Sequence, residues 1–92
     1  MKIQARIETG DGPRLMELTG RNAWALVRLA EAGKRGVTPL ECPALRWSAY
    51  VHSLRGRGIN IDTELEQHEG PFAGRHARYR LAQAVEIVEV LQ

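Results

Sequence analysis

Hydrophobic and polar positions alternate from the second residue onward. In residues 2–8 (KIQARIE), Ile3, Ala5 and Ile7 fall on one side, and Lys2, Gln4, Arg6 and Glu8 on the other. A period of two is that of a half-buried β-strand. The glycine-rich stretch at 9–13 (TGDGP) marks a turn, and residues 14–18 (RLMEL) can return antiparallel. A hairpin over residues 1–18 is expected.

The period then lengthens. Across 18–33 (LTGRNAWALVRLAEAG), Ala23, Leu26, Val27 and Ala30 recur at helical spacing, with Trp24 and Leu29 beside them. Thr19 can cap the start of this helix, and Gly33 ends it. A second helix is signalled at Thr38: Pro39 suits the first helical position and Glu41 completes a capping box. Pro43 lacks an N–H and biases Cys42 away from helical angles, so about one turn is expected. The third helix is expected at residues 46–57. There Trp47, Tyr50, Val51 and Leu54 repeat at i, i+3, i+4 and i+7, and Gly56 and Gly58 end it.

Alternation resumes at 59–65 (INIDTEL), with Ile59, Ile61, Thr63 and Leu65 inward. Residues 66–74 (EQHEGPFAG) read as a loop. In 75–82 (RHARYRLA), Ala77, Tyr79 and Leu81 face in, and His76, Arg78 and Arg80 face out. Residues 85–90 (VEIVEV) are rich in β-branched side chains and read as a strand, with a short helix as the alternative. This order predicts an α+β winged helix-turn-helix fold: three helices and an antiparallel β wing, with an N-terminal β-hairpin and a C-terminal strand. One domain spans 1–92, divided into hairpin (1–18), helical core (19–58), wing hairpin (59–82) and C-terminal strand or tail (83–92).

The net charge of +2 says little, but its distribution says more. Lys34, Arg35, Arg46, Arg55 and Arg57 lie in a stretch whose one acid is Glu41. Residues 59–74 hold Asp62, Glu64, Glu66 and Glu69 and no lysine or arginine, and Arg75, Arg78 and Arg80 follow. Localised positive charge suits a phosphate-facing surface. If the third helix turns its aromatic stripe to the core, Arg46, Ser48, Ala49, His52, Ser53 and Arg55 point outward. Arg46, Ser48, Ala49, His52 and Arg55 are the candidates for base contact. Arginine can pair with guanine, serine accepts or donates, and alanine admits a thymine methyl. Lys34, Arg35, Ser53, Arg57 and Arg75 are the candidates for phosphate contact. A register with Asp62 opposite Arg78, Glu64 opposite His76 and Asn60 opposite Arg80 would pair the charges of the wing. That discounts Arg78 and Arg80 as phosphate ligands, and Glu66 and Glu69 near the tip would repel phosphate.

Other chemistry is not signalled. Cys42, His52, His68 and His76 show no metal-ligand spacing, and no nucleophile, paired-carboxylate or nucleotide-loop motif occurs. No metal, cofactor or small-molecule substrate is inferred, and nothing marks an enzyme. A lone cysteine suits a reducing compartment. No apolar run is long enough to span a bilayer, and the alternating N-terminus does not read as a signal peptide, so a cytoplasmic protein is expected.

The joint pattern LTGRNAWAL, GVTPLE, RWSAYVHSLRGRGINIDTE and GPFAGRHARYRL resembles a family of small bacterial and phage-associated winged helix-turn-helix proteins, over Leu18 to about Leu81. The resemblance implies a winged helix and a DNA-binding or regulatory role on duplex DNA. It sets Arg46, Ser48, His52 and Arg55 at the exposed positions of the recognition helix. The acidic wing and the proline-shortened second helix depart from that pattern. The competing expectation is a protein–protein module without DNA affinity, pairing as a homodimer through edge strands at 2–8 and 85–90.

Overall fold

The computed structural model describes residues 1–44, 46–70 and 74–91. Its order is β1 (Lys2–Thr9), β2 (Gly12–Thr19), α1 (Gly20–Ala32), a 3-10 turn (Gly33–Arg35), α2 (Trp47–Gly56), β3 (Ile61–His68), β4 (Gly74–Leu81) and β5 (Val85–Val90). The strands form two antiparallel sheets, one in the order β2-β1-β5 and the other β3-β4.

The alternation of β1 is realised as a core face. Ile3, Ala5 and Ile7 are fully buried, joined by Met16 and Leu18 of β2. The 85–90 segment is a strand, and it pairs with β1. The first strand is therefore the centre of its sheet, not an edge. This corrects the expectation that residues 2–8 offer a free edge: the edges are β2 and β5. A register shift between Gln4 and Ala5 puts a bulge at Val88.

Helix α1 buries Ala23, Ala25, Leu26 and Leu29, so its inner face is rotated slightly from the 23-26-27-30 stripe. Thr19 stands at the N-cap but makes no side-chain cap bond. Gly33, at φ 55, closes the helix with its N–H on the Leu29 carbonyl. Helix α2 buries Trp47, Val51 and Leu54, with Tyr50 half-buried against them. The buried side chains of both sheets and both helices form one cluster.

The described residues contain two α-helices, not three. At the place of the expected second helix, the Thr38 hydroxyl accepts from the Glu41 N–H (3.1 Å), and the Cys42 N–H reaches the Thr38 carbonyl (2.9 Å). The capping signal is obeyed, but the chain makes one turn and stops. Leu40 is left exposed, and Pro43 stands where the helix would have to continue. An aromatic cluster closes the space instead. Trp24, Tyr50 and Tyr79 ring Trp47 with centroids 5.5–6.3 Å away, and the Trp47 indole N–H donates to the Cys42 carbonyl (2.7 Å).

The wing register also differs from expectation. Asp62 lies opposite Arg80, Glu64 opposite Arg78, and Glu66 opposite His76, a slip of two residues. The strands run further too, reaching His68 and starting at Gly74. The expected loop shortens at both ends, and its residues 71–73 lie outside the described residues. Leu65, expected inward, is 66% exposed because the outer half of the hairpin projects beyond the core. At the base, Val37 bridges to Tyr79 of β4. Gly36 makes that approach possible: at φ +74, a methyl there would meet Arg80 Cγ and the Tyr79 carbonyl at 2.6 Å.

Candidate nucleic-acid interface

The outer surface of α2 follows from its inner one. At about 100° per residue, Ser48, Ala49, His52 and Ser53 oppose the Trp47–Val51–Leu54 stripe. Ser48, His52 and Ser53 are exposed, and Ala49 is half-buried. The arginines lie on the two flanks. Arg55 leans toward β3, donating through Nε to the Ile61 carbonyl (3.2 Å) and through Nη2 to the Thr63 hydroxyl (2.9 Å). Arg57, just beyond the helix, leans the other way, and its Nη2 donates to the Glu17 carbonyl of β2 (3.1 Å). The exposed face of α2 is thus bracketed by the wing on one side and the N-terminal hairpin on the other. Arg46 stands exposed at the N-cap, where α2 has no side-chain cap and no acid in its first turn.

The wing sorts its charges by face. In an antiparallel pair, residues directly opposite share a face and successive residues alternate. Asp62, Glu64, Glu66, His76, Arg78 and Arg80 therefore share one face, and Thr63, Leu65, Gln67, Arg75 and Ala77 the other. The Arg55–Thr63 bond joins the second face to α2. On the first face the charges neutralise one another. Arg80 pairs with Glu64 (2.7 Å), Arg78 with Glu66 (2.6 Å) and Glu41 (3.0 Å), and His76 with Glu66 (3.0 Å). Arg35 pairs with Glu41 as well. Arg78 and Arg80 also donate to the carbonyls of Arg35 and Lys34, which pins the wing to the turn after α1. His68 Nδ1 lies 3.0 Å from His76 Nδ1 nearer the tip.

This network shifts ionisation. The Arg78 guanidinium on Glu66, with His76 adding to it, holds that carboxyl below its ordinary 4.5, and Arg35 and Arg78 do the same to Glu41. Glu66 in turn raises Arg78, which stays charged. So Glu64, Glu66 and Glu41 spend their charge on arginines, on the side of the wing away from the Arg55–Thr63 contact.

The candidates from the sequence divide accordingly. Arg46, Ser48, His52, Ser53, Lys34 and Arg75 are exposed. Arg55 and Arg57 are exposed but tethered, and Arg35 is engaged by Glu41. Lys34 and Arg35 lie on the far side of the wing base, where they meet Arg80 and Arg78, and they do not join α2's outer face. Arg14 was not singled out by the sequence. It lies on β2 with Nη1 3.3 Å from where a methyl on Gly58 would sit, so it reaches the turn that ends α2. Its position opposite Ile7 on a hairpin strand carries no basic motif, and only the tertiary packing reveals it.

Among the described residues no group of three or more His, Cys, Asp or Glu is placed to hold a metal ion. No helix of the described residues is long and apolar enough to cross a membrane.

A two-helix core, a β-hairpin that follows α2 directly and a short bridge from Val37 to that hairpin are the parts of a winged helix. A family model described as winged helix domain matches residues 15–91. The chain belongs to the winged helix domain family. Neither the curated proteins nor the solved structures compared with it gave a match. The family match starts within β2, so β1 and Arg14 lie ahead of it.

Proposed function

We propose that this winged helix domain binds duplex DNA with the outer face of α2 in the major groove. The observation that carries this reading is the sorting of charge on the wing. The carboxylates of Glu64 and Glu66 sit on the face turned away from Arg55 and are held by arginines. The face continuous with α2 presents Thr63, Leu65, Gln67 and Arg75. Along its strands the wing turns the Glu64 and Glu66 carboxylates away from the α2 side, and Glu69 at the tip is the acid left exposed there. Ser48, His52 and Arg46 are then the base-reading side chains, and Ala49 sets how closely the helix approaches. Arg55 and Arg75 supply positive charge along the wing side, and Arg57 along the other, where the Ser53 hydroxyl adds a neutral donor. A regulatory role in transcription is the use such a module would serve.

The test is titration of labelled duplex, as pooled fragments, at 50 and 200 mM salt. Binding should weaken by about tenfold or more across that range, because each neutralised phosphate releases a counterion. Arg46→Ala should weaken binding with thermal stability unchanged, since Arg46 makes no ion pair among the described residues. Failure to bind below tens of micromolar at low salt would overturn the reading.

A second reading, a module that pairs with a second copy, is favoured by one observation. The outer strand β5 leaves Val88 and Val90 exposed, with Leu91 and Met1 beside them. Edge strands of this kind pair with other chains. Light scattering separates the readings: a dimer with no DNA affinity supports pairing, and a monomer that binds DNA removes it.

A further inference from the structure

The wing is one flank of α2, and the N-terminal hairpin is the other. Arg57 fixes that second flank by donating to the Glu17 carbonyl, and Arg14 approaches from β2 to the Gly58 backbone. Arg55 stands one helical position before Gly56, on the opposite side of the same turn. Arg14 and Arg57 thus meet the end of α2 on the hairpin side, and Arg55 holds the wing side.

Like Arg21, Lys34, Arg46 and Arg75, and unlike the other lysines and arginines, these three have no acidic partner among the described residues. Lys2, Arg6, Arg28, Arg35, Arg78 and Arg80 each have a carboxylate within salt-bridge distance. Glu17, the acid of β2 closest to Arg57 in the chain's packing, turns its carboxylate to Lys2 (3.6 Å). Arg55 and Arg57 are held by oxygens that carry no charge, so their positions are set while their positive charge remains uncompensated. A guanidinium with one N–H engaged keeps further donors in fork geometry, which matches two oxygens of a phosphate.

We infer that Arg14, Arg57 and Arg55, set on the two sides of the end of α2, form a clamp for the phosphodiester backbone, so that the N-terminal hairpin is part of the nucleic-acid surface. This inference rests on the DNA reading above and adds to it a side chain that lies just ahead of the family match. It places backbone contacts on both sides of α2, with the hairpin answering the wing across the helix.

The experiment compares the full chain with Arg14→Ala, Arg14→Lys and Arg6→Ala, using one duplex from 50 to 200 mM salt. Arg6 is paired with Glu86 on the outer face of the sheet, so its loss controls for net charge. Arg14→Ala should bind about fivefold more weakly at the low-salt end, and the slope of log affinity against log salt should fall by about one. Arg14→Lys should keep the slope, and Arg6→Ala should match the parent. Thermal melts of each variant separate lost binding from lost folding. The inference is overturned if the parent binds DNA while Arg14→Ala matches it in affinity and slope, or if Arg6→Ala reproduces the loss. A parent that does not bind at all overturns the DNA reading and this clamp with it.

Discussion

Arg78 joins three segments of the chain: its own strand, Glu66 across the hairpin, and Glu41 in the turn capped by Thr38. With the Arg35 carbonyl as a third acceptor, it holds the wing against the end of α1. The two carboxyls it engages ionise more readily in the fold than at their ordinary 4.5. Their stabilisation is therefore complete above about pH 5 and is lost as pH falls through and below 4.5. Glu66→Gln should lower the urea midpoint at pH 7, and the gap from the parent should narrow as pH approaches 3. A gap of constant size would show that the ionised Glu66 adds nothing. These partners were only half legible in the sequence. Alternation put the acids and the arginines on one face correctly, because the period of two survives a slip of two residues. It could not choose between registers that both set acids against bases. The choice falls to contacts outside the hairpin, namely the Val37 bridge to Tyr79 and the Gly36 approach to Arg80.

At the scale of elements, the second helix shows where local signals stop. Thr38, Pro39 and Glu41 begin a helix by every local rule, and the hydrogen bonds of its first turn form. Propagation fails because Pro43 follows too soon, and Leu40 stays exposed. The turn is held instead by its cap and by the Trp47 bond to Cys42. Thr38 is fully buried, so Thr38→Ala should cost about 1 kcal/mol or somewhat more, read from urea unfolding. No change would mean that the Cys42 carbonyl contact alone secures the loop. The α2 stripe was legible because four apolar positions over two turns admit a single inward face. The bracketing of its outer face was not, since Arg55 and Arg57 read as one basic run yet lean to opposite sides.

Across the whole molecule, two sheets share one core although they never pair with each other. The first and last strands lie side by side, with Arg6 bonded to Glu86 eighty residues away. Because Ile3 and Leu18 belong to the same buried cluster as Leu26 and Leu54, unfolding should be a single cooperative event. Far-UV circular dichroism and tryptophan fluorescence should give coincident urea transitions, and separate midpoints would mean that the sheets unfold independently.

That comparison draws on a feature of the aromatic cluster. Trp24 and Trp47 are the two tryptophans of the chain, and they lie 5.5 Å apart at the meeting of both helices and β4. Strands β1, β2 and β5 carry no aromatic residue. The molecule's ultraviolet emission therefore comes from one end of the fold, and the three-stranded sheet is optically dark. A fluorophore attached to the hairpin near Arg14 would light that half. Energy transfer from the paired indoles would then measure how the hairpin sits against α2, with and without DNA.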